Sequence, residues 1–202
     1  DAAGWRPDTI DDYCGRCGAT VSGEAVTATG CPHCRGERLA WNGAWRLGAY
    51  EPPLGLWVRR MKFGGMWRWG EWFGDRLAEV IVPDQHETPN VVIPVPLHWT
   101  RRVRRGFDQA AMIAERLAEA RGWPLAPLLR RTRRTQPQSL IRSKAGRSEN
   151  VRGAFEMRPV DLAGWRVWLV DDVKTSGATM TQIARLALHG GVERVEIVVA
   201  VV

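Results

Sequence analysis

Three apolar runs and three helix-period stretches dominate the pattern of this chain. Val91-Val92-Ile93-Pro94-Val95-Pro96-Leu97 reads as a strand ended by proline. Val167 to Val170 reads as a buried strand, and Arg194 to Val202 (Val195, Ile197 to Val202) as a final one. Uninterrupted apolar strands fit a sheet covered on both faces. Between the last two runs, Ile183, Leu186 and Ala187 share a helical face that stops at His189-Gly190-Gly191. Strand, helix and strand at this spacing demand a parallel, right-handed crossover. A second helix is predicted over Met66 to Ile81, where Trp69, Trp72-Phe73, Leu77 and Val80-Ile81 fall at roughly helical intervals. A third runs from Asp108 to Arg121, with Ala111, Ile113-Ala114, Leu117 and Ala118 inward, Asp108 as cap and Gly122 as stop. Leu125 to Leu129 has the length of a short strand. The predicted fold class is α/β, a parallel sheet with flanking helices. Glu51-Pro52-Pro53-Leu54-Gly55 reads as a linker dividing residues 1–50 from 51–202.

Residues 1–50 have little core of their own and need another source of order. All four cysteines lie there, as Cys14-Gly-Arg-Cys17 and Cys31-Pro-His-Cys34, with thirteen residues between the two motifs. Each CxxC places two thiolates on one tight turn, and two such turns complete a tetrahedral S₄ site for Zn²⁺. Gly15, Gly18, Gly30 and Pro32 supply the turn chemistry. The spacing predicts a structural zinc ribbon over 1–50, ligated by Cys14, Cys17, Cys31 and Cys34. A redox reading is weaker, because neither CxxC lies in a βαβ pattern and nothing indicates an oxidising compartment. An iron–sulfur cluster is open in principle, but ribbon spacing favours zinc. His33, inside the second knuckle, reads as a bystander. A closed S₄ site has no open position, so its metal would fold the segment rather than catalyse.

The stretch richest in chemistry follows the second apolar run. Asp171 and Asp172 sit at the strand's end, and Lys174-Thr175-Ser176-Gly177-Ala178-Thr179 turns into the helix. Such a turn aims backbone N–H groups and the positive helix end at an anion. Thr175, Ser176 and Thr179 add hydroxyl donors. The carboxylates lie where open α/β sheets bind ligands, and can accept from a diol or hold Mg²⁺. A bland helix cap needs one hydroxyl and no acid pair. Phosphate on one side and diol on the other describe a ribose 5-phosphate. No Gly-x4-Gly-Lys-Thr/Ser is present, so this is not a Walker A loop.

Charge sharpens the picture. The net charge is +7, but from Leu97 to Arg152 fourteen Arg/Lys face four acids, a surplus of ten in one segment. It faces a solvated surface, an anionic ligand or a nucleic acid. Arg101-Arg102-Val103-Arg104-Arg105-Gly106 follows the first apolar run, and guanidinium forks suit a pyrophosphate. Arg130 to Asn150 is polar, basic and without strong periodicity; a loop that long is functional or disordered. No stretch approaches the ~18 apolar residues of a membrane span, and no signal-peptide pattern opens the chain. A cytoplasmic protein with no membrane span is expected.

Val170-Asp171-Asp172-Val173-Lys174-Thr175-Ser176-Gly177-Ala178-Thr179 resembles the phosphoribosyl pyrophosphate (PRPP) signature of type I phosphoribosyltransferases. Three further pieces resemble the ComF family, which joins a zinc ribbon to a phosphoribosyltransferase-type domain. They are Lys62-Phe63-Gly64, Arg105-Gly106-Phe107-Asp108-Gln109, and the set Thr135, Gln138, Leu140, Arg147, Asn150 and Phe155. The resemblance covers nearly the whole chain. Asp108 stands where the family typically has Asn, and Leu140 comes one residue early. The resemblance implies that Asp171 and Asp172 hold the ribose hydroxyls, directly or through Mg²⁺. It implies that Lys174, Thr175, Ser176, Gly177, Ala178 and Thr179 hold the 5-phosphate. Arg101, Arg102, Arg104, Arg105 and Gly106 form the pyrophosphate loop, and Gln138, Arg147 and Asn150 belong to a flexible loop over the reacting centre. Purine enzymes of this class carry an Asp three residues after the second acid. Thr175 stands there, which argues against a hypoxanthine-guanine-type enzyme and suits orotate-like or amidotransferase-like members, or binding without turnover. The resemblance also implies a link to DNA uptake in natural transformation, with single-stranded DNA and a helicase-like partner. Two readings result: a PRPP-binding phosphoribosyltransferase, or a non-catalytic DNA- or protein-binding competence factor on that scaffold.

Overall fold

The computed structural model describes residues 4–82, 88–136 and 140–202. Its strands are β1 (Gly43–Gly48), β2 (Val91–Pro94), β3 (Leu129–Arg131), β4 (Phe155–Met157), β5 (Arg166–Val173) and β6 (Arg194–Val201). Its α-helices are α1 (Leu54–Phe63), α2 (Arg68–Val80), α3 (Trp99–Arg105), α4 (Gln109–Arg121), α5 (Lys144–Val151) and α6 (Ala178–His189). Four strands form one parallel sheet in the order β1-β6-β5-β2. β3 and β4 pair antiparallel as a separate ribbon.

Helices cover both faces of the sheet, as the continuous apolar runs require. Val167 and Leu169 of β5 pack with Ile93, Ile197 and the α6 residues Met180, Ile183 and Ala187. Trp168 and Val170 point the other way, into Trp57, Met61, Phe73, Leu77, Ile113 and Leu117 of α1, α2 and α4. Each fully buried Val, Leu, Ile, Phe or Met among them contributes about 1.5–3 kcal/mol. Seven of the eleven tryptophans gather on this second face. Trp57 stacks on Trp69 with centroids 4.7 Å apart, and Trp72 meets both edge-on.

α2, α4 and α6 lie where the periodicity places them, and α4 has the expected ends. Asp108 Oδ1 accepts from the Ala111 N–H at 3.4 Å, and Gly122 closes the helix in the left-handed region. Three elements depart from the reading. The prolines at 52–53 were read as a linker, but α1 begins at Leu54 and buries Leu54, Trp57, Val58 and Met61, a one-sided helical spacing. The arginine-rich stretch read as a loop winds into α3, capped by His98 and ended by Gly106 at φ 81°. α3 buries no residue, so it carries no apolar period to read. Within the long basic stretch, α5 forms behind Ser143, whose hydroxyl accepts from the Gly146 N–H at 3.0 Å.

β1 lies inside the span 1–50, yet it hydrogen-bonds along β6 as an edge of the main sheet. Arg46 on β1 is 1% exposed. Its guanidinium donates to Gly18 O at 2.9 Å and Thr20 Oγ1 at 2.8 Å, pairs with Asp8 and lies over the Tyr13 ring. One buried cation thus fastens the cysteine-rich segment to the sheet.

Gly74 sets the approach of α2 to α4. A Cβ there would stand 2.7 Å from the Ile113 backbone oxygen, which cannot swing away. Alanine gains about 1 kcal/mol in helix propensity, whereas overpacking typically costs about 1–3 kcal/mol. With backbone rather than a flexible side chain in the way, the cost falls at the upper end of that range, and Gly74→Ala is expected to lower stability by up to about 2 kcal/mol in urea unfolding. An unchanged midpoint would show that the helices can part.

Candidate functional site

A cavity of about 490 Å³ opens at the C-terminal ends of the parallel strands. β5 delivers the acid pair to it. Successive strand residues face opposite sides, so the cavity straddles the sheet edge, with Asp171 on the α6 side and Asp172 on the α1 side. The Asp172 backbone N–H donates to Asp171 Oδ1 at 2.8 Å. Burial and the neighbouring Asp172 charge push the Asp171 carboxyl well above the usual range. Asp172 Oδ2 pairs with Lys62 Nζ at 2.9 Å.

Lys174 to Thr179 line the same cavity. Gly177, at φ 73°, is the N-cap of α6. A Cβ there would sit 2.9 Å from Trp41 Cη2, so close packing and backbone conformation both require glycine. The first turn of α6, which lines the cavity, leaves backbone N–H groups without intrahelical acceptors, a polarity that suits an anion. Burial lowers the Lys174 pKa.

Arg101 and Arg105, one turn apart on α3, line the cavity. Arg101 Nη2 donates to Thr135 O at 2.7 Å, and Arg105 Nη1 to Gln109 Oε1 at 2.9 Å. Arg102 and Gly106 do not line it, and Arg104 lines a neighbouring cleft with Thr100 and Arg134. Asp108 lines the cavity while accepting from the Leu97 N–H at 2.9 Å, so it serves both as helix cap and as clamp on the chain leaving β2. Its burial raises its pKa. Gln138 lies outside the described residues. Arg147 and Asn150 do not line the cavity. Asn150 instead exchanges two 3.0 Å hydrogen bonds with the backbone of Gln136, which does. Arg147 Nε donates to Ile141 O at 2.8 Å.

Two cavity cations escaped the sequence-derived site. Lys62 arrives from α1, in the Lys-Phe-Gly segment whose role the pattern left unassigned. Arg131 arrives from β3, bonded to the Thr135 hydroxyl and lying over the Phe155 ring. Burial and Arg101 bring its pKa down to about 10. Nothing in the sequence separates Arg131 from Arg130, which pairs with Glu156 in solvent. Arg105 Nε, Arg131 Nε and Gln109 Nε2 are buried donors with no acceptor among the described residues, so the cavity wall suits an oxygen-rich anion.

The four cysteines form a second centre. Their Sγ atoms all lie within 4.8 Å of one another, three of the pairs at 3.6–3.9 Å, and all four residues are buried. Ligands at a tetrahedral metal–sulfur distance of ~2.3 Å stand ~3.8 Å apart, far beyond a disulfide bond. Donor set and spacing fit one tetrahedral metal ion. His33 is exposed and outside the cluster. Trp41 joins the two centres: its indole N–H donates to Arg16 O, between the cysteines of the first knuckle, at 3.0 Å, and its ring touches the Gly177 loop.

The fold and site define a parallel α/β protein with an anion- and diol-suited cavity at its strand ends, joined to an N-terminal cysteine cluster. Over 193 residues the chain is 31% identical to Competence protein F of Haemophilus influenzae, covering 92% of this chain and 82% of that one. It therefore belongs to the competence protein F (ComF) family. The DNA utilization protein YhgH of Salmonella typhimurium is 27% identical over 190 residues, covering 91% and 81%. A solved glutamine phosphoribosylpyrophosphate amidotransferase from B. subtilis is 25% identical with a TM-score of 0.45, and this chain spans a quarter of it while 64% of this chain is covered. No family model matches the chain. Among the described residues no helix is long and apolar enough to cross a membrane.

The raised Asp171 pKa has a stability consequence with a definite sign. The folded state holds this proton more tightly than the unfolded state, so stability falls as pH rises from the unfolded value toward the folded one. Asp171→Asn removes that loss. Its Tm at neutral pH is expected to exceed wild type by about 2–4 °C, and the gain should vanish near pH 3, below the unfolded carboxylate value of about 3.9. A lower Tm at neutral pH would overturn the assignment.

Proposed function

We propose that the cavity binds a phosphoribosyl ligand of the PRPP kind and that the cysteine cluster holds a structural Zn²⁺. The observation supporting the first reading is convergence: the acid pair, the hydroxyl-rich loop and the arginines come from distant stretches of chain and line one cavity. The ribose hydroxyls face Asp171 and Asp172. The 5-phosphate rests on the N–H and hydroxyl groups of Lys174, Thr175, Ser176, Gly177, Ala178 and Thr179. The pyrophosphate meets Arg101, Arg105 and Arg131, while Arg102, Arg104 and Gly106 complete the turn that presents them. Arg147 and Asn150 brace the segment flanking Gln138 at the cavity rim.

The two carboxylates are hard oxygen donors that fit Mg²⁺; Asp171 and Asp172 would hold it, and it would neutralise phosphate charge. The chemistry is displacement of pyrophosphate from the ribose C1, through a transition state of oxocarbenium character. The carboxylates hold the hydroxyls that fix the ring, and the guanidiniums stabilise the charge that leaves. Catalysis rests on positioning and electrostatics. Thr175 offers a hydroxyl and no carboxylate, so the loop lacks a proton acceptor at that place and favours an acceptor nucleophilic by itself.

On this reading residues 1–50 are a zinc ribbon and 51–202 a phosphoribosyltransferase-like domain. Thiolate ligation suits a reducing compartment, which supports a cytoplasmic location. The names of its relatives attach them to competence and DNA utilization, and this chain takes part in the same process. A second reading keeps the scaffold without turnover, as a single-stranded-DNA binder or docking site for a helicase-like partner. It is favoured by Arg104 and Arg134, which line a cleft beside the cavity.

Calorimetric titration with PRPP tests the first reading. Binding is expected only with Mg²⁺ and should weaken at least about tenfold in Asp171→Asn/Asp172→Asn, the loss of about 1.4 kcal/mol. No binding by wild type overturns it, and steeply salt-dependent binding of single-stranded DNA would then support the second. Cys31→Ser is expected to abolish stoichiometric zinc in metal analysis and to destabilise the 1–50 segment by several kcal/mol.

A further inference from the structure

Lys62 is the cavity cation with the clearest job. It reaches the strand ends from α1, on the face of the sheet opposite α6. Its side chain is 19% exposed and that of its partner Asp172 is 11%. At 2.9 Å the ammonium sits on the carboxylate that a diol or a divalent cation would use. Arg105, the next cation along, is turned toward Gln109 and packs over the Phe63 ring. Lys62, Arg101, Arg105, Arg131 and Lys174 outnumber Asp108, Asp171 and Asp172 around the cavity. A neutral sugar taking Asp172 would strand the Lys62 ammonium in a partly buried place, which is unfavourable. A polyanion offers that ammonium a replacement partner.

We propose that Lys62 is an internal counterion that keeps free divalent cation off the acid pair and yields Asp172 only to a ligand carrying its own negative charge. Lys62 acts through Asp172 and is a positioning residue. The inference rests on the phosphoribosyl reading for the identity of the ligand, but its test does not.

The zinc-loaded full chain is titrated with Mn²⁺ in the absence of PRPP, with free Mn²⁺ followed by electron paramagnetic resonance. Wild type should take up Mn²⁺ weakly. Lys62→Met should tighten uptake about tenfold, because a competing cation has gone. Lys62→Arg, which keeps the charge, should behave as wild type. Adding Asp172→Asn to Lys62→Met should erase the gain. Unchanged or weaker Mn²⁺ uptake in Lys62→Met overturns the proposal. So does a gain that survives Asp172→Asn, or a Lys62→Arg variant that binds as Lys62→Met does. Failure of the phosphoribosyl reading shows separately, as no response of wild type to PRPP at any metal concentration.

Discussion

A strand covered on both faces pays heavily for charge in its interior, and β5 keeps its carboxylates to its end. Val167, Trp168, Leu169 and Val170 are wholly buried, and the first carboxylates come immediately after. Taking an unpaired carboxylate out of water costs several kcal/mol, so two in succession demand compensation. The surrounding architecture supplies it. Lys62 meets Asp172 from one side of the sheet, and the cationic walls of α3 and β3 face the same space. The cavity therefore owes its polarity to where the apolar run stops.

How far this was legible depends on the kind of signal. The β5–α6–β6 unit could be read because its strands are continuous and its helix is one-sided. α4 could be read because Asp108 and Gly122 mark its ends. The cysteine spacing pointed to a compact four-sulfur site, and the sulfurs do gather. α1 was hidden by the prolines before it, although Leu54, Trp57, Val58 and Met61 have the right period. α3 buries nothing and had no period to offer. Lys62 and Arg131 belong to the cavity through tertiary placement alone. Their neighbours Arg59, Arg60 and Arg130 carry the same charge into solvent.

Two small contacts make the N-terminal segment part of the cavity's surroundings. Arg46 anchors it to β1 from below, and Trp41 lies against the one loop position where only glycine fits. A shift of the cysteine segment would move Trp41 and, with no intervening residue, the backbone that turns into α6. The cysteine cluster and the cavity share a wall, so order in one supports order in the other.

β1 has a further effect that concerns handling rather than chemistry. Seven of the eight residues of β6 are buried, and β1 covers its outer hydrogen-bonding edge. A fragment starting at residue 51 would leave that apolar edge open to pairing with other chains. Aggregation of such a fragment would then reflect a missing strand rather than a failure of the remaining residues to fold.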